Sequence, residues 1–177
     1  MKRALLMIPL VLALAACKPD TTVNTDTGKI ARLGNGVLTL QSDGVPKATI
    51  SANGDLTIDG KAVSLDAQKR ALTTAYYKEL DGITQAGIAI GKQGAQLAGK
   101  AVGEAMRGVL SGDTDQIGNK VEAEAKQIEA KAKQICTHLS GLRTAQDALA
   151  AQLPEFRPYA NIDQQDIDDC GKDEDEG

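Results

Sequence analysis

Ala48-Thr49-Ile50-Ser51-Ala52-Asn53-Gly54-Asp55-Leu56-Thr57-Ile58-Asp59-Gly60-Lys61-Ala62-Val63-Ser64-Leu65 is the stretch in which the fold is decided. Ile50, Leu56, Ile58, Val63 and Leu65 alternate with polar residues, which is the period of a strand with one apolar face. Asn53-Gly54 and Asp59-Gly60 interrupt the alternation, and such dipeptides suit hairpin turns because both central residues of a type I′ turn need positive φ. The same grammar runs upstream: Val37-Leu38-Thr39-Leu40 is a further strand candidate, and Asn35-Gly36 and Asp43-Gly44 are further breaks. The spacing predicts an antiparallel β-meander over residues 29–65. A sheet this small needs something to cover its apolar face.

The cover follows at once. Leu65, Leu72, Tyr76, Leu80 and Ile83 recur at helical spacing on one stripe, and Asp66 stands where an N-cap belongs. The class implied is α+β, a small N-terminal meander followed by long helices. Residues 50–65 as quoted, followed by Gln68-Lys69-Arg70 and Tyr76-Tyr77, resemble the YggN-like family of bacterial envelope proteins over roughly residues 48–80. That resemblance implies the same sheet-then-helix order and carries over no catalytic residue.

Residues 82–112 hold eight glycines, yet their spacing is helical. Gly87, Gly91, Ala95, Gly99 and Gly103 fall four apart, which resembles a glycine zipper, and Lys92, Gln96, Lys100 and Glu104 form a polar stripe one position along. Small residues on such a stripe allow another helix to approach closely. Each interior glycine costs roughly 0.8–1 kcal/mol against alanine, so packing has to hold this helix together. Lys92, Lys100, Glu104 and Arg107 speak against a spanning helix, and the expectation is a close helix crossing within the monomer, with self-association or membrane insertion as the alternative. Gly94 to Ala101 nearly spells a phosphate-binding loop, but Ala101 lacks the hydroxyl for magnesium and no apolar strand precedes it.

Residues 113–153 form the longest helix candidate, with Asp113 and Gln116 spaced as a capping box and Pro154 as the stop. Val121, Ala125, Ile128, Ala132, Ile135, Leu139, Leu142, Gln146, Leu149 and Leu153 alternate spacings of four and three, and Gln146 breaks an otherwise apolar seam. So narrow a seam predicts a coiled-coil-like partner, either the glycine-rich helix folded back as a hairpin or a second copy. Glu122, Glu124, Lys126, Glu129, Lys131 and Lys133 read as solvated pairs on the outer faces. The helical region is thus 66–153, with a return segment at 154–170 and a disordered acidic tail at 171–177. Asp163, Asp166, Asp168 and Asp169 lack the glycine and the closing glutamate of a calcium-binding hand.

At the other end, Lys2-Arg3, an apolar run from Ala4 to Leu14 and the sequence Leu14-Ala15-Ala16-Cys17 resemble the signal peptide and lipobox of bacterial lipoproteins. The resemblance implies cleavage after residue 16, a lipid on Cys17 and attachment to a membrane without crossing it. Lys18, rather than aspartate, after the cysteine implies the periplasmic face of the outer membrane. Residues 17–28, mostly Thr, Asp and Asn, read as a flexible tether. With Cys17 acylated, Cys136 and Cys170 remain in an oxidising compartment, and the chain from Pro154 onward is long enough to return, so they are expected to form a disulfide.

Lys2 and Arg3 leave with the leader, so 18 basic side chains remain against 24 acidic ones, a net charge of −6. That excludes a basic nucleic-acid footprint. One Phe, three Tyr and no Trp in 177 residues predict an elongated shape with a thin aliphatic core. His138, the single histidine, projects about 200° from Cys136 along a helix, so the two cannot form one site, and it reads as a surface residue. No nucleophile elbow, paired metal ligands or Cys-x-x-Cys is present, so no catalytic residue, metal or cofactor is expected. The function expected is a non-catalytic, lipid-anchored envelope scaffold that binds a protein partner or its own copy through the helices. The alternatives are a membrane-active or self-assembling protein using the glycine stripe, and an uncharacterised hydrolase.

Overall fold

The computed structural model describes residues 21–25, 29–111 and 115–170, with backbone alone at 21–25, 29–30, 102, 104–111 and 115–121. The architecture is α+β. Six strands, β1 (Thr21–Thr25), β2 (Lys29–Gly34), β3 (Val37–Ser42), β4 (Val45–Ser51), β5 (Leu56–Ile58) and β6 (Lys61–Ala62), form one sheet in sequence order. Every neighbouring pair is antiparallel, so the meander is complete. Two long helices follow, α1 (Ala67–Ser111) and α2 (Asp115–Gln152), then a 3₁₀ turn (Pro154–Tyr159) and a short α3 (Gln164–Asp169).

Two of the four expected turns have both central residues left-handed: Asn35 and Gly36 at φ 52° and 75°, and Asp59 and Gly60 at 52° and 72°. At the other two only the glycine is left-handed, Gly44 at 73° and Gly54 at 81°. The Asn53-Gly54 link is longer because Ser51 N–H donates to the Asp55 carbonyl at 2.9 Å and the Ser51 hydroxyl accepts from Asp55 N–H at 3.1 Å. Gly54 is also a close approach: a Cβ there would lie 2.7 Å from the Arg70 carbonyl oxygen and 2.9 Å from Thr73 Oγ1. The fully buried Thr73 hydroxyl donates to the Gly54 carbonyl at 2.6 Å, fastening the loop to the first turns of α1. Asp66 caps α1 as its position predicts, its carboxylate accepting from Lys69 N–H at 2.8 Å.

The tether expected at residues 17–28 is corrected by β1, which occupies its centre and pairs Thr21 with Leu33 through to Thr25 with Lys29. Four of the five residues of β1 are β-branched, which favours extended backbone. Its chemistry lacks an apolar alternation because it is an edge strand. The leader, Cys17, Asp113 of the expected capping box and the tail at 171–177 lie outside the described residues.

The core sits at one end of the molecule. Leu33, Leu38, Leu40, Ala48, Ile50 and Leu56 of the sheet meet Tyr76, Tyr77 and Leu80 of α1, Leu142, Ala145 and Leu149 of α2, and Leu153, Phe156 and Tyr159 beyond it. All four aromatics of the chain are in this cluster, so a sequence poor in rings concentrates them where sheet and helices join. Phe156, fully buried, forms a T-shaped pair with Tyr76 at a centroid distance of 5.2 Å, and the Tyr159 hydroxyl donates to the Pro46 carbonyl at 2.6 Å. Beyond this cluster α1 and α2 run on together as an antiparallel two-helix arm. From Thr84 to Ser111 it is roughly 40 Å long at 1.5 Å per residue. The seam of α2 records the change: Leu142, Gln146, Leu149 and Leu153 are buried, Ile128, Ala132, Ile135 and Leu139 are half-buried, and Ala125 is exposed.

Candidate functional site

The side of α1 that faces α2 is set at the root of the arm by two glycines. A Cβ on Gly82 would lie 2.7 Å from His138 Nδ1, and one on Gly141 would lie 2.9 Å from Glu79 Oε1, so each side chain occupies the space that a glycine leaves on the other helix. His138 Nδ1 and Glu79 Oε2 are then 2.8 Å apart. This corrects the reading of His138 as a plain surface residue: its ring is half-exposed, but it is part of the helix interface. Further out, the helices are joined by polar contacts. Gln93 Nε2 donates to Gln127 Oε1 at 3.1 Å, Lys131 Nζ donates to Gln93 Oε1 at 2.6 Å, and Lys100 Nζ lies 2.5 Å from Glu124 Oε1. Glu124 and Lys131 therefore bridge the two helices. Lys126 and Lys133 do make the expected pairs along one helix, with Glu122 and Glu129 at 2.7 and 2.6 Å, and these lysines hold both carboxyls below their ordinary range.

The expected packing stripe has a different place. Gly87, Gly91, Ala95, Gly99 and Gly103 are all exposed, and a Cβ added at any of the four glycines would meet nothing within 4 Å. The close crossing expected within the monomer is thus not made by these residues. The cause is rotation. At about 100° per residue, Gln93 and Lys100 return to within about 20° of Gly82, whereas Gly87 and Gly91 are turned about 140° and 180° away; Gly99 and Gly103 come back to about 100° and 60°, and the space over them is still open. The glycines that do pack, Gly82 and Gly141, lie outside the four-spaced run, and no periodic signal marks them.

Beyond the packing of Phe156 and Tyr159, the return segment is fastened to α2 by side chains and a disulfide. Gln146, only 2% exposed, accepts from Asn161 N–H at 2.9 Å and Ile162 N–H at 3.0 Å and donates to the Ile162 carbonyl at 2.8 Å. Arg143 Nη1 donates to Gln164 Oε1. Cys136 and Cys170 form the expected disulfide, with Cα atoms 5.7 Å apart and 34 residues of separation. Asp163 and Asp166 are occupied by a reciprocal capping box at the start of α3, the carboxylate of each accepting from the backbone N–H of the other. Among the described residues no His, Cys, Asp and Glu gather as a metal-binding group, and no helix is long and apolar enough to cross a membrane. The near phosphate loop at 94–101 is uninterrupted helix.

Titration is perturbed chiefly in the base of the molecule. Burial pushes the Tyr76 phenol far above its ordinary value, and burial together with Asp59 raises that of Tyr159. The Arg70 guanidinium, which donates to the Asp55 carboxylate, holds that acid below its usual range. These groups lie in the core and at the sheet–helix joint, with no reactive partner beside them.

The family model described as Protein of unknown function (DUF2884) matches residues 28–117 and 110–162. The chain belongs to the DUF2884 family. Its first matched segment covers β2 to β6 and all of α1, and the second runs through α2 to the residues clamped by Gln146. Cys17 and Cys170 lie outside the matched residues. No curated protein and no solved structure matches the chain.

Proposed function

We propose that this DUF2884 protein is a non-catalytic scaffold of a bacterial envelope, anchored through a lipid on Cys17 at the periplasmic face of the outer membrane, whose arm binds a protein partner along the open glycine stripe. The observation that carries the reading is the unfilled space over Gly87, Gly91, Gly99 and Gly103. Four interior glycines cost a helix roughly 3–4 kcal/mol relative to alanine. The monomer recovers none of it, since its own interface uses Gly82 and Gly141 instead. A second helix laid on the stripe would recover it by close backbone approach. The lipobox Leu14-Ala15-Ala16-Cys17 and the YggN-like resemblance of residues 48–80 support the envelope location, and the absence of nucleophile or ligand motifs in the sequence supports a binding role over a hydrolase.

The exposure of the stripe also favours a second reading, in which the partner is another copy or the lipid itself. Crosslinking in native envelopes separates these outcomes. For the wild type we expect a partner adduct at stripe positions, lost in Gly91→Leu and Gly99→Leu while the melting temperature of the monomer is kept or raised. A homodimeric adduct would select self-assembly. Adducts unchanged by both substitutions would overturn the stripe as the binding surface.

A further inference from the structure

The register of the sheet bears on how an anchored molecule would stand on its membrane. Only Lys18, Pro19 and Asp20 separate Cys17 from Thr21, the first residue of β1. Four residue steps span at most about 14 Å, so a lipid on Cys17 keeps the start of β1 within that distance of the bilayer surface. Thr21 pairs with Leu33, Leu33 with Leu38, and Val37 with Ser51. The entry to β1 therefore shares one end of the sheet with the Asn35-Gly36 turn and the loop at residues 52–55. The Asp43-Gly44 and Asp59-Gly60 turns are toward the other end, about 20 Å and about 13 Å along the strands.

Two further observations bear on the Thr21 end. Val37, at the Thr21 end, is the one large apolar side chain exposed among the described residues, at 38%. The turns at the Thr21 end carry no free acid, since Asn35 and Asn53 are neutral and Asp55 is paired with Arg70, while the opposite end carries acids and bases together, Asp43 and Asp59 with Lys47 and Lys61. An exposed valine beside such turns can enter the headgroup region without carrying an unpaired charge with it. We infer that the end of the sheet formed by Val37, the Asn35-Gly36 turn and the loop at residues 52–55 is a membrane-contacting surface, seated on the lipid to which Cys17 is anchored. This inference rests on the lipid-anchor reading and deepens it: the fold is held against the bilayer instead of being lifted from it.

The test uses full-length protein purified from membranes and reconstituted in vesicles of phosphatidylethanolamine and phosphatidylglycerol carrying a headgroup nitroxide. Ala52→Cys and Asp43→Cys place a fluorophore at the two ends of the sheet, both at exposed positions. Quenching of the probe at residue 52 should exceed that at residue 43 by at least twofold. Intact mass measured on the same samples reports the lipid. Lipidated protein with equal or reversed quenching would overturn the contact surface while keeping the anchor. Protein without the diacyl mass would overturn both.

Discussion

Replacing Gln146 with Leu would repair the apolar seam of α2, and the structure predicts that the repair destabilises the protein. The Gln146 amide is buried and makes three hydrogen bonds to the backbone of Asn161 and Ile162, at 2.8–3.0 Å. Leucine removes all three and leaves two N–H groups and one carbonyl unpartnered. At about 1–2 kcal/mol each, in a segment only partly shielded from water, the loss is roughly 3–6 kcal/mol. Burying leucine returns about 2 kcal/mol. The net destabilisation is about 1–4 kcal/mol, and each kcal/mol lowers the melting temperature of a domain this size by about 2–4 °C. Circular dichroism melts of Gln146→Leu against wild type measure the fall, and hydrogen exchange at Asn161 and Ile162 should accelerate in the same variant. Both measurements belong on oxidised and reduced samples, because the disulfide limits how far the freed segment can move. An unchanged or raised melting temperature with protected amides would refute the clamp and restore the reading of Gln146 as a flaw in a coiled-coil seam.

Gly82→Ala should destabilise by up to about 2 kcal/mol, since collision of the methyl group with the His138 ring outweighs the roughly 1 kcal/mol of helix propensity gained, whereas Gly141→Ala, which displaces only the mobile Glu79 carboxylate, should be near neutral, and Gly91→Ala and Gly99→Ala should raise the melting temperature of the monomer by propensity alone; thermal melts of the four variants decide all three. Reducing the Cys136–Cys170 bond, which closes a loop of 34 residues, should cost up to about 4 kcal/mol by loop entropy and expose α3 to protease, as read by melts and proteolysis with and without reductant. Arg70 depresses the folded pKa of Asp55, so the stability this pair contributes is present above the unfolded carboxylate value and lost as pH falls through the folded one. In Arg70→Gln the Asp55 carboxyl should titrate in the ordinary range by NMR; an unmoved titration would mean that the guanidinium is not the cause.

The meander was legible because its determinants are local: glycine dipeptides fix the turns, and alternation fixes which side of each strand is buried. Thr73 was hidden for the opposite reason. Its role depends on a loop nineteen residues earlier in the chain folding onto it, and a buried threonine inside a helix carries no sign of that. β1 was hidden too, because an edge strand with polar residues on both faces lacks the period by which strands are recognised. The disulfide was within reach of the sequence, since the chain from Pro154 onward is long enough to bring Cys170 back beside Cys136.

The glycines show where reading by period stops. Spacing by four identifies residues that share a helical stripe, but it is indifferent to whether that stripe faces in or out. The direction comes from the base of the arm, where Tyr76 and Leu80 of α1 and Leu142 and Leu149 of α2 join the same core and fix the rotation of both helices. That rotation propagates along α1 at about 100° per residue, bringing 82, 93 and 100 onto the interface and carrying 87 and 91 to the far side. A single aromatic or leucine shifted by one position in the base would have turned the stripe by about 100°, with no change anywhere in the glycine run itself. The stripe is therefore a surface whose orientation is determined some ten residues away from it, and whatever docks there reads the packing of the sheet as much as the glycines.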